Sequence, residues 1–183
     1  MDIWFTSDTH YGHGNLIAKC RPQFSSVEEM DELMIANWNE RVKSSDRVYH
    51  LGDLSWYGRT KTQAIVDRLN GQKFLIRGNH DSSKMKLNGF QFIKEYYMLK
   101  HDDKQVFLFH RPCRSWDSSC HGSWHLFGHA HGNALPWGKS FDVGVDCWNM
   151  SPINWEMVKK VMASLESTKD HHNDSAWKGS DLV

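Results

Sequence analysis

The chain has 183 residues, enough for one domain with a substantial core. Lys and Arg total 22 and Asp and Glu total 22, so no net field draws the molecule to nucleic acid or to an anionic membrane, and a polyanion would have to be met by a local patch. Aromatic residues at 13% and hydrophobic residues at 39% exclude a disordered chain.

Residues 3–7, IWFTS, are a β-prone run that stops at Asp8, and a Gly-containing turn over 10–14 precedes a helix predicted over 15–19. Nothing before this run reads as a signal peptide. Ser25 or Ser26 caps a second helix beginning near Val27, with Glu28 and Glu29 in its first turn and Met30, Leu33, Met34 and Trp38 as its apolar stripe. A strand over 47–51 ends on Gly52-Asp53 and is followed by a helix over 60–69. A third strand over 74–76 runs into Arg77-Gly78-Asn79-His80-Asp81, after which Ser82 or Ser83 caps another short helix. This alternation implies parallel pairing in the first half. Beyond it, 92–99 and 105–110 read as a hairpin turning at 101–104, with strands over 125–127 and 140–145 and a closing amphipathic helix over 154–165. The expected domain spans 1–165, and 166–183 reads as a polar, flexible tail.

No apolar stretch approaches the length of a membrane span. Cys20, Cys113, Cys120 and Cys147 are scattered, which fits reduced thiols in the cytoplasm, with a Cys113–Cys120 disulfide or thiolate pair as the alternative.

Ligand-capable side chains gather where the strands end: Asp8 and His10, Asp53, Asn79 with His80 and Asp81, His110, then His129 and His131. In an open α/β sheet the carboxyl ends of the strands converge on one crevice. Carboxylate, imidazole and carboxamide together form a mixed oxygen and nitrogen shell suited to divalent transition metals. One catalytic ion with open positions needs about three protein ligands. Asp8, His10, Asp53, Asn79, His110, His129 and His131 are too many for one, and suit two ions if Asp53, midway in the order, bridges them.

D-x-H at 8–10, G-D at 52–53, G-N-H-D at 78–81, the lone His110 after a strand and G-H-x-H at 128–131 resemble, in order, the five signature blocks of the calcineurin-like metallophosphoesterases. The segment FDVGVDCWNMSPIN at 141–154 resembles the closing segment of small bacterial and phage members. The resemblance implies an α/β fold, a four-layer α/β/β/α sandwich with mixed β-sheets. It implies one ion on Asp8, His10, Asp53 and His131 and a second on Asp53, Asn79, His110 and His129, manganese first, with Fe, Zn, Ni or Co as alternatives. The implied activity is phosphoester hydrolysis, on a small or nucleotide-type phosphodiester or a nucleic-acid end ahead of a phosphomonoester or phosphoprotein. His80 would protonate the leaving alkoxide, oriented and raised in pKa by Asp81. A non-catalytic scaffold is the weaker alternative, since every ligand position and His80 are present.

The segment 111–125 should overhang the crevice, where Arg111 and Arg114 could clamp phosphate and Trp116 or Trp124 stack on a base. His110-Arg111-Pro112 departs from the family's usual aromatic after the His and places a cation beside the site. His13 and Arg77 are further candidates for substrate contact. His50 reads as packed or as a support to the ligands, and His101, His171 and His172 as solvated. No membrane contact and no obligate protein partner are expected.

Overall fold

Along the first strand, β1 (Ile3–Thr6), Ile3 and Phe5 enter one core while Trp4 enters another, the period-2 alternation of a strand buried on both faces. The computed structural model describes residues 1–84 and 86–167. The chain continues through α1 (Asn15–Lys19), α2 (Val27–Arg41), β2 (Arg47–His50), α3 (Arg59–Arg68), β3 (Gln72–Ile76) and β4 (Phe90–Lys94). There follow β5 (Tyr96–His101), β6 (Lys104–Phe109), β7 (Trp124–Phe127), β8 (Ser140–Asp142), β9 (Ile153–Asn154) and α4 (Trp155–Ser164).

Two mixed sheets result. The first has the order β4-β3-β2-β1-β9, with β1 to β4 parallel and β9 antiparallel to β1. The second has the order β5-β6-β7-β8, antiparallel between β5 and β6 and parallel thereafter. Phe5, Leu51 and Ile76 from the first sheet meet Leu108, Leu126 and Val143 from the second strand set and its exit, and α4 adds Trp155, Val158 and Met162 to this core. On the other face of the first sheet, Trp4, Val48 and Leu75 pack on α2 and α3 through Met34, Trp38, Ile65 and Val66. The expected α/β class with two mixed sheets is what the chain adopts.

Ser26 caps α2, its hydroxyl accepting from the Glu29 amide at 3.1 Å. The buried stripe of that helix uses Ile35 where Leu33 was expected; Leu33 is exposed. The run predicted as one strand over 92–99 divides at Glu95. Phe90–Lys94 extends the first sheet beside β3, whereas Tyr96–His101 pairs with β6 in the second. A continuous β-prone run carries no mark of a change of sheet; here the Arg77 amide donates to the Lys94 carbonyl and the Arg77 guanidinium pairs with Glu95, pinning the switch. The helix expected after Ser82 does not form among the described residues. Ser82 Oγ instead accepts from the Lys84 amide within a turn, and the segment lacks an apolar stripe to bury. Likewise β8 ends at Asp142, because the Asp142 carboxylate accepts from the amides of Gly132 and Gly144 and turns the chain into a 3₁₀ turn at Val145–Cys147. Most of the predicted tail, with His171 and His172, lies outside the described residues.

Candidate metal centre

The ends of β1, β2, β3, β6 and β7 bring Asp8, His10, Asp53, Asn79, His110, His129 and His131 to one place. The loops leaving the strands turn abruptly: Asp8, His10, Asp53, His129 and His131 all have φ between 47° and 69°. Asp, Asn and His tolerate this left-handed region better than most residues, yet each such residue costs of order 1–3 kcal/mol. The surrounding contacts must over-determine these conformations, and glycines show how. A Cβ on Gly78 would lie 2.2 Å from Asp53 Oδ1, and one on Gly128 would lie 2.0 Å from Ser7 Oγ and 2.3 Å from Asp8 Oδ2. Four strand ends, those of β3 and β2 and those of β7 and β1, therefore touch backbone to side chain in pairs, with no room for a methyl group.

Among the groups of donors within 4.8 Å of one another, two are built from the strand-end residues, Asp8 with His10 and His131, and Asp53 with His110 and His129; a third, Cys20 with His131 and Asp146, shares His131 with the first. Asp53 joins the two strand-end groups, its Oδ2 standing 3.5 Å from His10 Nε2 and 3.3 Å from His110 Nε2. The other oxygen of Asp53 is committed to the His80 amide at 2.8 Å.

Hydrogen bonds fix which imidazole nitrogens are free. His110 Nδ1 donates to the Leu51 carbonyl at 2.7 Å, so a neutral ring turns its Nε2 lone pair toward two acceptors, Asp53 Oδ2 and Asn79 Oδ1 at 3.1 Å. Three lone pairs facing one another repel unless a proton or a metal ion stands among them. Burial opposes a charge on His110, but the Asp53 carboxylate outweighs it and lifts its pKa above the ordinary histidine value. His131 follows the same plan, with Nδ1 donating to Asp146 Oδ2 at 2.7 Å and Nε2 facing Asp8 Oδ1 at 4.0 Å.

Asp8 Oδ1 and both ring nitrogens of His10 are buried with no hydrogen-bond partner among the described residues. Unpaired buried polar atoms are costly. Burial pushes the Asp8 carboxyl up to about 7 and holds His10 down to about 3, so the imidazole is in its neutral, ligating form. A divalent cation would satisfy these atoms together and reverse the penalty on the Asp8 charge. The donor set fits a metal.

Two residues overlooked in the sequence hold this set in place. Arg21, with no solvent exposure, donates from Nε and Nη2 to both oxygens of Asp146 at 2.8 and 2.9 Å and from its Nη groups to the carbonyls of Asp8 and Thr9. Asp146, held well below the usual carboxylate range by Arg21 and His131 despite its burial, in turn fixes the His131 tautomer. This is the carboxylate–histidine arrangement typical of metal ligands. Asp146 lies within the segment 141–154; Arg21, alone in a polar turn, carries no sequence signal.

Asp81, expected to orient His80, does something else. Its oxygens accept from the amides of Asp53, Leu54 and Gly78, tying the end of β2 to the end of β3. Three donors from two loops capture the carboxylate, and the His80 ring lies instead 4.8 Å from Trp56 and 5.5 Å from His10. His50 is buried; its Nδ1 accepts from the Gly52 amide, so its Nε2 donates to Thr9 Oγ1 at 2.9 Å, which passes a hydrogen bond to the Leu54 carbonyl. Both of its ring nitrogens are thereby committed to the loops.

Among the candidates for substrate contact, His13 stands 5.3 Å from His10, its ring stacked on Trp56. Arg111 reaches the second ligand group, donating to His129 Nε2 at 2.9 Å, so guanidinium and metal ion are alternative cations for that lone pair. Arg77 shares a pocket with His80, although its guanidinium pairs with Glu95. Arg114 lies over the Trp137 ring, and no contact brings it to the ligand groups among the described residues. Trp116 is buried, its Nε1 donating to Ser123 and its face against His125; Trp124 is buried against Trp155. Neither indole is available to stack on a ligand. All four cysteines are free.

The family profile described as calcineurin-like phosphoesterase matches residues 1–179. An uncharacterized protein of Methanocaldococcus jannaschii is 34% identical over 169 residues, which span 87% of this chain and 90% of that protein. The Gene 66 protein of Mycobacterium phage L5 is 39% identical over 104 residues, 54% of this chain and 49% of that protein. The solved structure of an Aquifex aeolicus protein of unknown function is similar in fold, with a TM-score of 0.72 at 24% identity, covering 87% of this chain and 98% of that one.

Proposed function

The chain belongs to the calcineurin-like phosphoesterase family, and from that premise we propose that it is a phosphodiesterase working with two divalent ions. The observation that carries the two-ion reading is Asp53 Oδ2, poised between His10 and His110 and so shared by both ligand groups. Asp8, His10, Asp53 and His131 would hold one ion, and Asp53, Asn79, His110 and His129 the other, with manganese the first choice for this oxygen and nitrogen shell. When bound, the ions supply Lewis-acid polarisation of the phosphoryl oxygens and a nucleophilic hydroxide at neutral pH.

The chain's own residues do the rest. The His80 imidazole, 5.5 Å from the His10 ring, gives its proton to the leaving alkoxide oxygen as the P–O bond breaks. Its backbone is held by the bond from its amide to Asp53, which fixes the acid relative to the bridging ligand. Arg111 offers a guanidinium to a phosphate oxygen at the His129 side. The free thiols favour a cytoplasmic setting. Among the described residues, no helix is long and apolar enough to cross a membrane.

The test strips the protein of metal, restores Mn²⁺, and compares bis-p-nitrophenyl phosphate with p-nitrophenyl phosphate, with Asp53→Asn as control. Preferential diester hydrolysis, lost in Asp53→Asn, is the expected result. Preferential monoester hydrolysis would replace the diesterase reading with a phosphatase, and inactivity on both would remove the catalytic one.

A further inference from the structure

Trp56 is an exposed indole on the rim of the metal centre. Its side chain is 51% exposed, unusual for so large an apolar group beside a buried polar cluster. The backbone beneath it is fixed: the Trp56 amide donates to the Tyr11 carbonyl at 2.8 Å, and Ser55 forms a parallel bridge with Tyr11. The indole is parallel to the His13 ring, 5° between planes and 4.1 Å between centroids, and the His80 ring stands 4.8 Å away at 58°. Trp56, His80 and His10 thus follow one another outward to inward, at ring separations of 4.8 and 5.5 Å.

We propose that Trp56, backed by His13, is a stacking platform for the aromatic base of a nucleotide whose phosphate sits at the metal centre. This rests on the phosphoesterase reading in taking His80 to mark the leaving-group side. A nucleotide places one sugar between phosphate and base, so a base beside Trp56 leaves the ester oxygen near His80. Stacking accepts any base, because every base has a π-face, and requires no net positive charge of the protein. A nucleoside is therefore the favoured leaving group, and the neutral overall charge is no obstacle to a short substrate.

The test is calorimetric titration of the Mn²⁺-loaded protein with adenosine 5′-monophosphate and with ribose 5-phosphate, which carry the same phosphate and sugar with and without a base. The wild type should bind the nucleotide roughly 5- to 100-fold more tightly, the range expected for one stacked base. Trp56→Ala should bring the two affinities together without changing that for ribose 5-phosphate, and Trp56→Phe should keep most of the difference. Equal affinities in the wild type, or a difference that survives in Trp56→Ala, would overturn the platform. A titration with a short single strand asks which source supplies the base; equal dependence on Trp56 supports nucleic-acid ends as well as mononucleotides, and binding independent of Trp56 overturns the platform for strands. Hydrolysis of bis-p-nitrophenyl phosphate measured alongside separates the two ideas. No turnover with a Trp56-dependent preference for the nucleotide would sink the catalytic reading alone, whereas turnover without that preference would sink the platform alone.

Discussion

His80 and Asp81 are neighbours in the chain with different work. Asp81 spends its charge on three backbone amides, so what ties the proposed acid to the ligand groups is the bond of the His80 amide to Asp53. The consequence for rates is specific to the leaving group. An alkoxide leaves poorly without a proton and a nitrophenolate leaves well, so His80→Ala should lower kcat/KM for a dinucleotide by about 10²- to 10⁴-fold and for bis-p-nitrophenyl phosphate far less. Equal losses on the two substrates would remove the proton-transfer role. Legibility differs sharply among these residues. Asp8, His10, Asp53, His129 and His131 stand out in the sequence because a carboxylate or imidazole at the end of a strand is rarely placed there for packing. Arg21 and Trp56 do not stand out, since their significance comes from partners far away along the chain, Asp146 for one and His13 and His80 for the other.

Strands set the site by where they end, and loops set it by how tightly they turn. Gly128 connects β7 to the two histidines at its exit, and its Cα hydrogens lie against Ser7 and Asp8 of the neighbouring strand end. Gly128→Ala puts a methyl group 2.0–2.3 Å from those side chains and must push Asp8 out of place. Calorimetric titration with Mn²⁺ should show the affinity at the Asp8, His10 and His131 group reduced by about tenfold or more, the scale seen when the supports of a metal ligand are disturbed. An unchanged affinity would mean that the two loops can part at little cost. At this level the βα alternation of the first half reads directly from periodicity, because each element there has a period and a terminator. The division at Glu95 and the end of β8 at Asp142 do not, since both are set by side-chain hydrogen bonds, Arg77 with Glu95 and Asp142 with the amides of Gly132 and Gly144, that leave the apolar pattern unchanged.

For the whole molecule, the two cores and the site are different kinds of structure. The clusters on either face of the first sheet are built of buried apolar side chains, whereas the site at the strand ends holds unpaired polar atoms and left-handed residues. Ion binding should therefore add stability that the fold alone lacks. At an ion concentration about 100 times Kd the gain is roughly 2.7 kcal/mol, which for a chain of this size raises Tm by about 5–10 °C. Differential scanning calorimetry with Mn²⁺ and with a chelator checks this, and Asp53→Asn should show a much smaller response. A wild-type Tm indifferent to chelation would mean that no ion is held with useful affinity.

The Arg21–Asp146 pair spans 125 positions and is the strut on which His131 rests. During synthesis the ribosome delivers the seven candidate ligand residues by position 131, while the carboxylate that accepts from the last of them emerges later. A nascent chain halted between 131 and 146 would carry the full ligand set and still lack an ordered first group. The support of His131 therefore depends on the tract after β8 returning to the turn that follows α1, a contact of long sequence separation and correspondingly costly loop closure.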